Sequence, residues 1–311
     1  MIETNTDRAP QSGVESRCGF IALIGAPNSG KSTLVNRLVG AKVSIVTHKV
    51  QTTRARLRGV AIEGDSQLVL VDTPGIFAPK RRLDRAMIET AWGEARNADI
   101  VVVLIDSQKV LDPDAERILA LVADIDIPRV LALNKIDKVE KSSLLALADQ
   151  ASERAAFTQI FMISALTGEG VDDLKRYLAQ SVPLGPWLYP EDQIADAPLR
   201  HTAAEITREK LILRLHQELP YVSTVETTAW RELKGGGVRI EQTIYVERDS
   251  QKKIVIGAQG RTIKEISMAA RKELSEMLGV PVHLFLFVKV RSRWGDDPER
   301  YREMGLEFPK A

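Results

Sequence analysis

Short runs of consecutive apolar residues punctuate the first part of the chain. They fall at 20–24, 68–71, 100–105, 129–133 and 159–163. Each is rich in Val, Ile and Leu and shorter than a typical helix, so each predicts a strand. Between them, apolar positions recur at helical spacing near 31–39, 82–96, 112–123, 142–156 and 171–180. Strands that are apolar on both sides and alternate with helices predict a parallel sheet covered on both faces. Residues 18–181 therefore read as a doubly wound α/β domain.

The pattern then changes. Residues 182–199 carry four of the chain's 14 prolines and predict an extended linker, with Trp187 and Tyr189 packing it onto one of the domains. Residues 200–217 place Ala204, Ile206, Leu211, Ile212 and Leu215 near a 3.6-residue period, a helix. Two alternating stretches, 222–233 and 238–248, are joined by Lys234-Gly235-Gly236-Gly237, a hairpin signal. By local pattern the apolar triplet Ile254-Val255-Ile256 reads as a strand. It is followed by Gly257-Ala258-Gln259-Gly260, a long amphipathic helix to Leu278 and an apolar strand from Val280 to Val290. These elements predict a second, smaller α+β domain over 200–291, leaving 1–17 as a flexible tail and 292–311 as a C-terminal tail. At the start of that last tail and just before it, Arg291, Arg293 and Trp294 would add basic and aromatic groups beside the second domain's groove.

Composition alters this picture only modestly. A chain of 311 residues with 44% hydrophobic and 27% charged content accommodates two globular domains, each with its own core. No apolar run approaches the ~20 residues of a membrane span, and the N-terminus lacks the apolar centre of a signal peptide. The expected compartment is the cytoplasm. The single cysteine, Cys18, fits a reducing environment and a small buried hydrophobe, and His48, His201, His216 and His283 have no metal-ligand spacing. Net charge is +1, but unevenly spread. Residues 200–311 hold 20 Lys/Arg against 16 Asp/Glu, and residues 1–199 the remaining 23 against 26, so the halves carry +4 and −3. That split permits a polyanionic partner for the second half without demanding one.

The candidate chemistry lies where a doubly wound sheet puts it, just after the apolar runs. After 20–24 comes Gly25-Ala26-Pro27-Asn28-Ser29-Gly30-Lys31-Ser32-Thr33, which fits G-x-x-x-x-G-K-[ST] in a strand–turn–helix context. The glycines let backbone N–H groups converge, and the following helix adds its positive end, so a polyphosphate is held there. Lys31 is expected to reach the β- and γ-phosphates and the Ser32 hydroxyl to meet Mg²⁺. After 68–71 comes Asp72-Thr73-Pro74-Gly75. A carboxylate at a buried strand end is costly unless it serves a cation, so Asp72 is expected to hold Mg²⁺ through water, with the Gly75 N–H at the γ-phosphate. After 129–133 comes Asn134-Lys135-Ile136-Asp137. The Asp137 carboxylate can accept two donors from the guanine edge, a pair that adenine lacks, while Lys135 lays its stem along the base. After 159–163 comes Ser164-Ala165-Leu166, where the Ala165 N–H is expected to donate to guanine O6.

The four motifs GAPNSGKS, DTPG, NKID and SAL, in that order, resemble those of the translation-factor-related GTPases. The resemblance implies a switch segment between the first helix and the second strand, and Val50-Gln51-Thr52-Thr53-Arg54 lies there. By analogy the threonine directly before Arg, Thr53, meets Mg²⁺ and the γ-phosphate, with Thr52 as the alternative. The polar stretch 42–53 is expected to order with GTP. Ile76 stands where Ras-like enzymes carry a water-orienting Gln, which implies slow intrinsic turnover or another device. Related GTPases with Asn in the phosphate loop use it to hold K⁺, so Asn28 joins Lys31 and Thr53 as a candidate catalytic residue.

In the second half, I-V-I-G-A-Q-G-R-T-I-K-E-I within this element order resembles a type II KH domain, whose GxxG loop joins two helices. The resemblance therefore places Ile254–Ile256 on a helix, against the local pattern. A turn free of side chains lets a sugar-phosphate backbone approach main-chain N–H groups. Gly257, Ala258, Gln259 and Gly260 would form that turn, with Lys252, Lys253, Arg261 and Lys264 as phosphate partners. Ile254, Ile256, Ile263 and Ile266 would line the groove for the bases. Many such loops carry Lys or Arg where Ala258 and Gln259 stand.

A GTPase of this motif set followed by a type II KH domain resembles the Era family of bacterial ribosome-associated GTPases over 18–308. The resemblance implies a monomer that binds the 3′ region of small-subunit ribosomal RNA during small-subunit assembly, with GTP/GDP and Mg²⁺ as cofactors. The basic C-terminal half could also hold anionic lipid, a peripheral contact with the inner membrane. The alternative function class is a GTP-dependent membrane or cell-cycle signalling protein that uses the second domain for protein contacts. An ATP-using phosphate-loop enzyme is opposed by Asn134 and Asp137.

Overall fold

The structure, a computed structural model, describes residues 15–47, 49, 52–53, 57–79, 81–109, 111–215, 219, 223–292, 298, 301 and 306–308. Val50, Gln51, Arg54 and Trp294, and residues 1–14 of the expected N-terminal tail, lie outside them. The first domain runs β1 (Arg17–Gly25), α1 (Lys31–Val39), β2 (Leu57–Glu63), β3 (Ser66–Asp72), α2 (Arg82–Arg96) and β4 (Ile100–Asp106). It continues with α3 (Pro113–Ala123), β5 (Arg129–Asn134), α4 (Lys141–Ser152), β6 (Gln159–Ile163) and α5 (Val171–Ser181).

The sheet order is β2-β3-β1-β4-β5-β6, with every neighbouring pair parallel except β2–β3. Strand β2 has no counterpart among the runs read from the sequence. It is an antiparallel edge strand in which Arg58 and Gly59 interrupt the apolar pattern, so it lacks the continuous apolar signature of its two-sided neighbours. The two faces of the sheet carry separate cores. On one, Leu34, Val35 and Leu38 of α1 and Leu174 and Leu178 of α5 pack against Ile21, Leu23 and Leu70. On the other, Ala91 and Trp92 of α2, Leu119 of α3 and Ala151 of α4 pack against Ile24, Val103 and Leu131. The strand order reverses beside β1, between β3 and β4, so the crevice for a ligand opens at the carboxyl end of β1.

Residues 182–199 do not hang free between the domains. The fully buried side chain of Gln67 accepts from the Leu188 and Tyr189 N–H groups (2.8 and 3.0 Å) and donates to the Tyr189 carbonyl at 2.7 Å. The Trp187 indole donates to the Asp65 carbonyl at 3.1 Å. The Val60 N–H donates to the Ile194 carbonyl (2.9 Å), and the Asp196 N–H to the Arg58 carbonyl (2.9 Å). The connector is thus strapped along the β2–β3 edge of the first domain.

The second domain runs α6 (Leu199–Arg214), β7 (Thr224–Glu232), β8 (Val238–Val246), α7 (Asp249–Ile256), α8 (Arg261–Leu278) and β9 (Val282–Val290). Its sheet order is β7-β8-β9, with β7–β8 antiparallel and β8–β9 parallel. Leu211 of α6, Val255 of α7 and Ile266 of α8 close one core over Ile244 and Val246. Ile206, Ala270 and Leu274 close another over Ile240 and Leu284. The described residues of the C-terminal tail take a course that the sequence did not anticipate. Tyr301, Leu306 and Phe308 form a cluster with Leu83, Ala86 and Met87 of α2 in the first domain.

Candidate functional site

The phosphate loop folds as its residues dictate. Gly30 has φ 103°, and a Cβ there would sit 2.2 Å from the Asn134 amide nitrogen, so neither conformation nor space admits a side chain. Helix α1 begins at the next residue, which leaves its first N–H groups facing the crevice. A cavity of about 560 Å³ opens there. Its lining joins Asn28, Gly30, Lys31, Ser32 and Thr33 from the loop, Thr53, Gly75, the side chains of Asn134, Lys135 and Asp137, and Ser164 and Ala165. Of the residues expected at the nucleotide, Gly25, Ser29 and Asp72 lie behind this lining.

Lys31 is buried and donates to the Gly25 and Ala26 carbonyls, both at 3.0 Å. Burial lowers its pKa to about 8, partly offset by the Asp72 charge. Asp72 is fully buried, and burial pushes its carboxyl up from the usual range against the opposing pull of Ser44, Lys31, Ser32 and Thr53. Three hydroxyls converge on its Oδ2: Ser44 at 2.5 Å, Ser32 at 2.8 Å and Thr53 at 3.1 Å. Ser32 and Thr53 are themselves 2.9 Å apart, and Asp72 Oδ1 has no hydrogen-bond partner among the described residues. Such a set of oxygens around a buried carboxylate suits a hard divalent cation. Thr52, the alternative, turns away: its hydroxyl bonds the Thr47 hydroxyl and the Lys49 carbonyl, both at 2.7 Å.

The far end of the cavity is braced by side chains. The Asn134 amide donates to the Ser29 carbonyl at 2.8 Å and its oxygen accepts from the Ala165 N–H at 2.9 Å. Asn134 therefore ties the phosphate loop to the loop after β6. The Ala165 N–H, expected at guanine O6, donates to the Asn134 side chain in this structure. Asp137 accepts from the Ser164 hydroxyl at 2.7 Å, which holds its carboxyl below the usual carboxylate range. Lys135 has φ 69° and is held by Asp106 at 2.6 Å.

Asp106 and Ser44 were not expected at the site from sequence. Asp106 ends β4 as Asp72 ends β3, so the strand-end rule that found one points equally to the other. Ser44 carries no such signal, being one polar residue in a polar segment. Ile76, the apolar residue at the Gln position, is buried in the core under α2 and α3 and contributes nothing to the cavity.

The GxxG segment joins two helices. Ile254–Ile256 closes α7 rather than forming a strand, as the family resemblance implied and the local pattern did not. Only Val255 of the triplet reaches the core, and three apolar residues in a row do not distinguish a short one-sided helix from a strand. Gly257 has φ 75°, and a Cβ there would meet the Thr262 hydroxyl at 2.2 Å. Gln259 also takes a positive φ, 53°, within the single turn that leads to α8. Lys253, Ala258, Gln259, Arg261 and Lys264 are exposed or half-buried, and Lys252 and Ile256 half-buried, around this turn. Lys252, Lys253, Arg261 and Lys264 make no ion pair among the described residues. Ile254 is 56% exposed, and Ile256 and Ile263 are half-buried. Ile266, expected in the groove, is instead fully buried, because its position on α8 faces the sheet.

Comparison with known proteins gives a consistent result over the whole chain. Residues 20–135 match the family described as 50S ribosome-binding GTPase, and residues 218–295 match the KH domain family. The chain is 66% identical to GTPase Era of Afipia carboxidovorans, over 95% of this chain and 96% of that relative. It is 64% identical to GTPase Era of Rhizobium meliloti, over 100% and 99% of the two chains. A crystal structure of Era in complex with MgGDPNP and nucleotides 1506–1542 of 16S ribosomal RNA superposes with a TM-score of 0.88 at 38% identity, covering 93% of this chain and 99% of that one. A point variant of Aquifex aeolicus Era bound to GDP·AlF4⁻ superposes equally, with a TM-score of 0.88 at 38% identity over the same shares.

Proposed function

We propose, from the premise that this chain belongs to the Era family of GTPases, how its pocket and its GxxG loop work together. The protein binds GTP and hydrolyses it to GDP and phosphate. The observation that carries the reading is the convergence of all four strand-end motifs on one 560 Å³ cavity, in a chain that also carries an exposed GxxG turn.

In that cavity the loop N–H groups and the start of α1 hold the phosphates, and Lys31 exchanges its two carbonyl partners for phosphate oxygens. Gly75 presents its N–H to the terminal phosphate. Asp137 accepts the paired donors of guanine, and Lys135 lies along the base. Ser32 and Thr53 would hold Mg²⁺ directly and Asp72 through water. When bound, that ion supplies positive charge against the developing negative charge of the phosphoryl group. The charge already on the chain at this point comes from Lys31, whose proton burial makes labile and a polyphosphate retains. Ile76, a core residue, cannot take the part of the absent Gln. Asn28, exposed in the cavity wall, is the side chain placed to help bind a monovalent cation beside the phosphates. With K⁺ in that role, turnover is several-fold faster in K⁺ than in Na⁺, and Asn28→Ala removes the difference. Equal rates in the two salts overturn it.

The second domain binds RNA. A relative has been crystallised with nucleotides 1506–1542 of 16S ribosomal RNA, and this chain presents a GxxG turn ringed by Lys252, Lys253, Arg261 and Lys264. We place the chain, as a monomer in the cytoplasm, on the 3′ region of small-subunit ribosomal RNA during small-subunit assembly. The test is binding of a single-stranded oligonucleotide from that region. Affinity should fall steeply with salt, since several phosphates are neutralised. Gly260→Asp, where a side chain meets no neighbour within 4 Å, should abolish binding while leaving GTP turnover intact. Unchanged RNA affinity in that variant rejects the KH reading. The membrane or signalling alternative rests on no feature beyond the +4 charge of residues 200–311, and no described helix is long and apolar enough to cross a membrane.

A further inference from the structure

Outside the nucleotide cavity, the buried charge of Arg208 has no part in the reading above. Arg208, on α6 of the second domain, is 1% exposed, and its Nη1 has no hydrogen-bond partner among the described residues. Burying a guanidinium that is always charged is costly, and leaving one of its donors unmatched adds to the cost. Its other donors are committed. Nε donates to Glu205 Oε1 at 2.7 Å and Nη2 to Glu205 Oε2 at 2.5 Å. Nη2 also donates to the backbone carbonyl of Thr52.

That carbonyl belongs to the peptide unit that ends at Thr53. The unit is planar and trans, so its C=O and the Thr53 N–H point in opposite directions. Drawing the Thr52 carbonyl onto α6 therefore turns the Thr53 N–H away from α6, while the Thr53 hydroxyl rests 3.1 Å from Asp72. Thr53 itself lines the nucleotide cavity. The same helix grips the segment elsewhere. Glu209 accepts from the Val46 N–H at 2.9 Å and pairs with Lys42 at 2.8 Å. Lys49 donates to the Ile212 carbonyl at 2.6 Å, and to that of Leu215, at the C-terminal end of α6. These flanking contacts fix where the segment lies. Arg208 alone among them bonds the peptide unit that orients Thr53.

We propose that Arg208 is a positioning residue for the GTPase reaction, supplied across the domain boundary. It presets the Thr52–Thr53 peptide so that Thr53 offers its hydroxyl and N–H to the cation and the terminal phosphate, and Glu205 locks the guanidinium in place. This rests on the assignment of Thr53 as the switch threonine. GDP has no terminal phosphate for Thr53 to meet, so Arg208 discriminates between the two nucleotides.

The test measures binding of GDP and of a non-hydrolysable GTP analogue to the full chain, with GTP turnover alongside. Arg208→Ala should weaken the analogue on the order of tenfold or more, as expected for a lost charged hydrogen bond, with GDP affinity within about twofold of wild type. The kcat should fall by a similar factor. Arg208→Lys, which keeps the charge but loses the planar fork, should recover only part. Glu205→Gln, which leaves Arg208 in place, should shift the analogue in the same direction by less, and it serves if Arg208→Ala does not fold. Equal weakening of both nucleotides means that Arg208 is merely structural, and no weakening of either means that it is idle; both overturn the proposal. Thr53→Ala separates the premise from the inference. If it leaves analogue affinity intact, the Thr53 assignment fails and the proposal with it. If it weakens the analogue and neither α6 variant does, only the proposal fails.

Discussion

Lys31 carries a proton whose hold is weak for a lysine. Burial brings its pKa to about 8 in the free protein, and a bound polyphosphate favours the charged form, so the pKa rises on binding. The direction of the pH dependence follows. Below pH 8 the ammonium is present in both states and affinity is flat. As pH rises through 8, the free protein loses the proton that the complex keeps, and affinity should weaken by up to tenfold per pH unit until the pKa of the complex is reached. Titration calorimetry with GDP in buffers of different ionisation enthalpy should also show net proton uptake above pH 8. At this scale much was legible beforehand. Asp72 and Asn134 announce themselves because a polar residue directly after an apolar run needs a reason, and Asp137 because it follows within the same short motif. What each side chain does with its neighbours was not, because Asn134 bonding both Ser29 and Ala165 joins residues 105 and 31 positions away.

Helices in this chain are started and stopped by local chemistry that can be removed one residue at a time. Asp112 caps α3, accepting the Ala115 N–H at 2.9 Å ahead of Pro113. Burial pushes its carboxyl up, but the Ala115 N–H and Lys109 outweigh that and hold it below the usual value. Asp112→Ala should cost about 1 kcal/mol at neutral pH, by chemical denaturation. Because the folded carboxyl is the more acidic one, its contribution is present above the unfolded value of 3.8 and lost as pH falls through the folded pKa, so the gap between variant and wild type should close there. At the GxxG turn, the two glycines differ. Gly257→Ala combines a φ of 75° with a Cβ at 2.2 Å from Thr262, and Gly260→Ala has the same φ in open space. The first should destabilise by about 1–3 kcal/mol more than the second. Element types were read well from periodicity where strands were apolar on both sides. They failed at β2, an edge strand whose apolar run is interrupted by Arg58 and Gly59, and at α7, a helix whose single buried residue imprints no period.

The two domains of the chain meet through segments remote in sequence. Helix α6 holds Lys42, Val46, Lys49 and Thr52 of the first domain, and Tyr301, Leu306 and Phe308 cover α2, which follows the DTPG motif. Tyr301 is fully buried, with its ring 4.9 Å from that of Phe308, and Arg82 stacks over Phe308 at 5.2 Å. Truncating so large a buried ring removes its contacts and leaves a cavity. Tyr301→Ala should cost the local docking about 3 kcal/mol. Hydrogen exchange should show faster exchange confined to α2 and the segment that carries Leu306 and Phe308, with the β1–β4 core unchanged.

The amino-acid order alone determined the class of each domain, the guanine nucleotide and the place of each motif, because these depend on periodicity and on chemistry packed into a few consecutive residues. It was silent on the strapped linker, on the docking of Tyr301, Leu306 and Phe308 against α2, and on the grip of α6 on the switch segment. Each of these joins residues some 120 to more than 200 positions apart through single hydrogen bonds or a few buried rings, and none leaves a repeat or spacing along the chain. Arg208 is the sharpest case: in sequence it is one more charge on a helix, and only folding buries it against the Thr52 carbonyl.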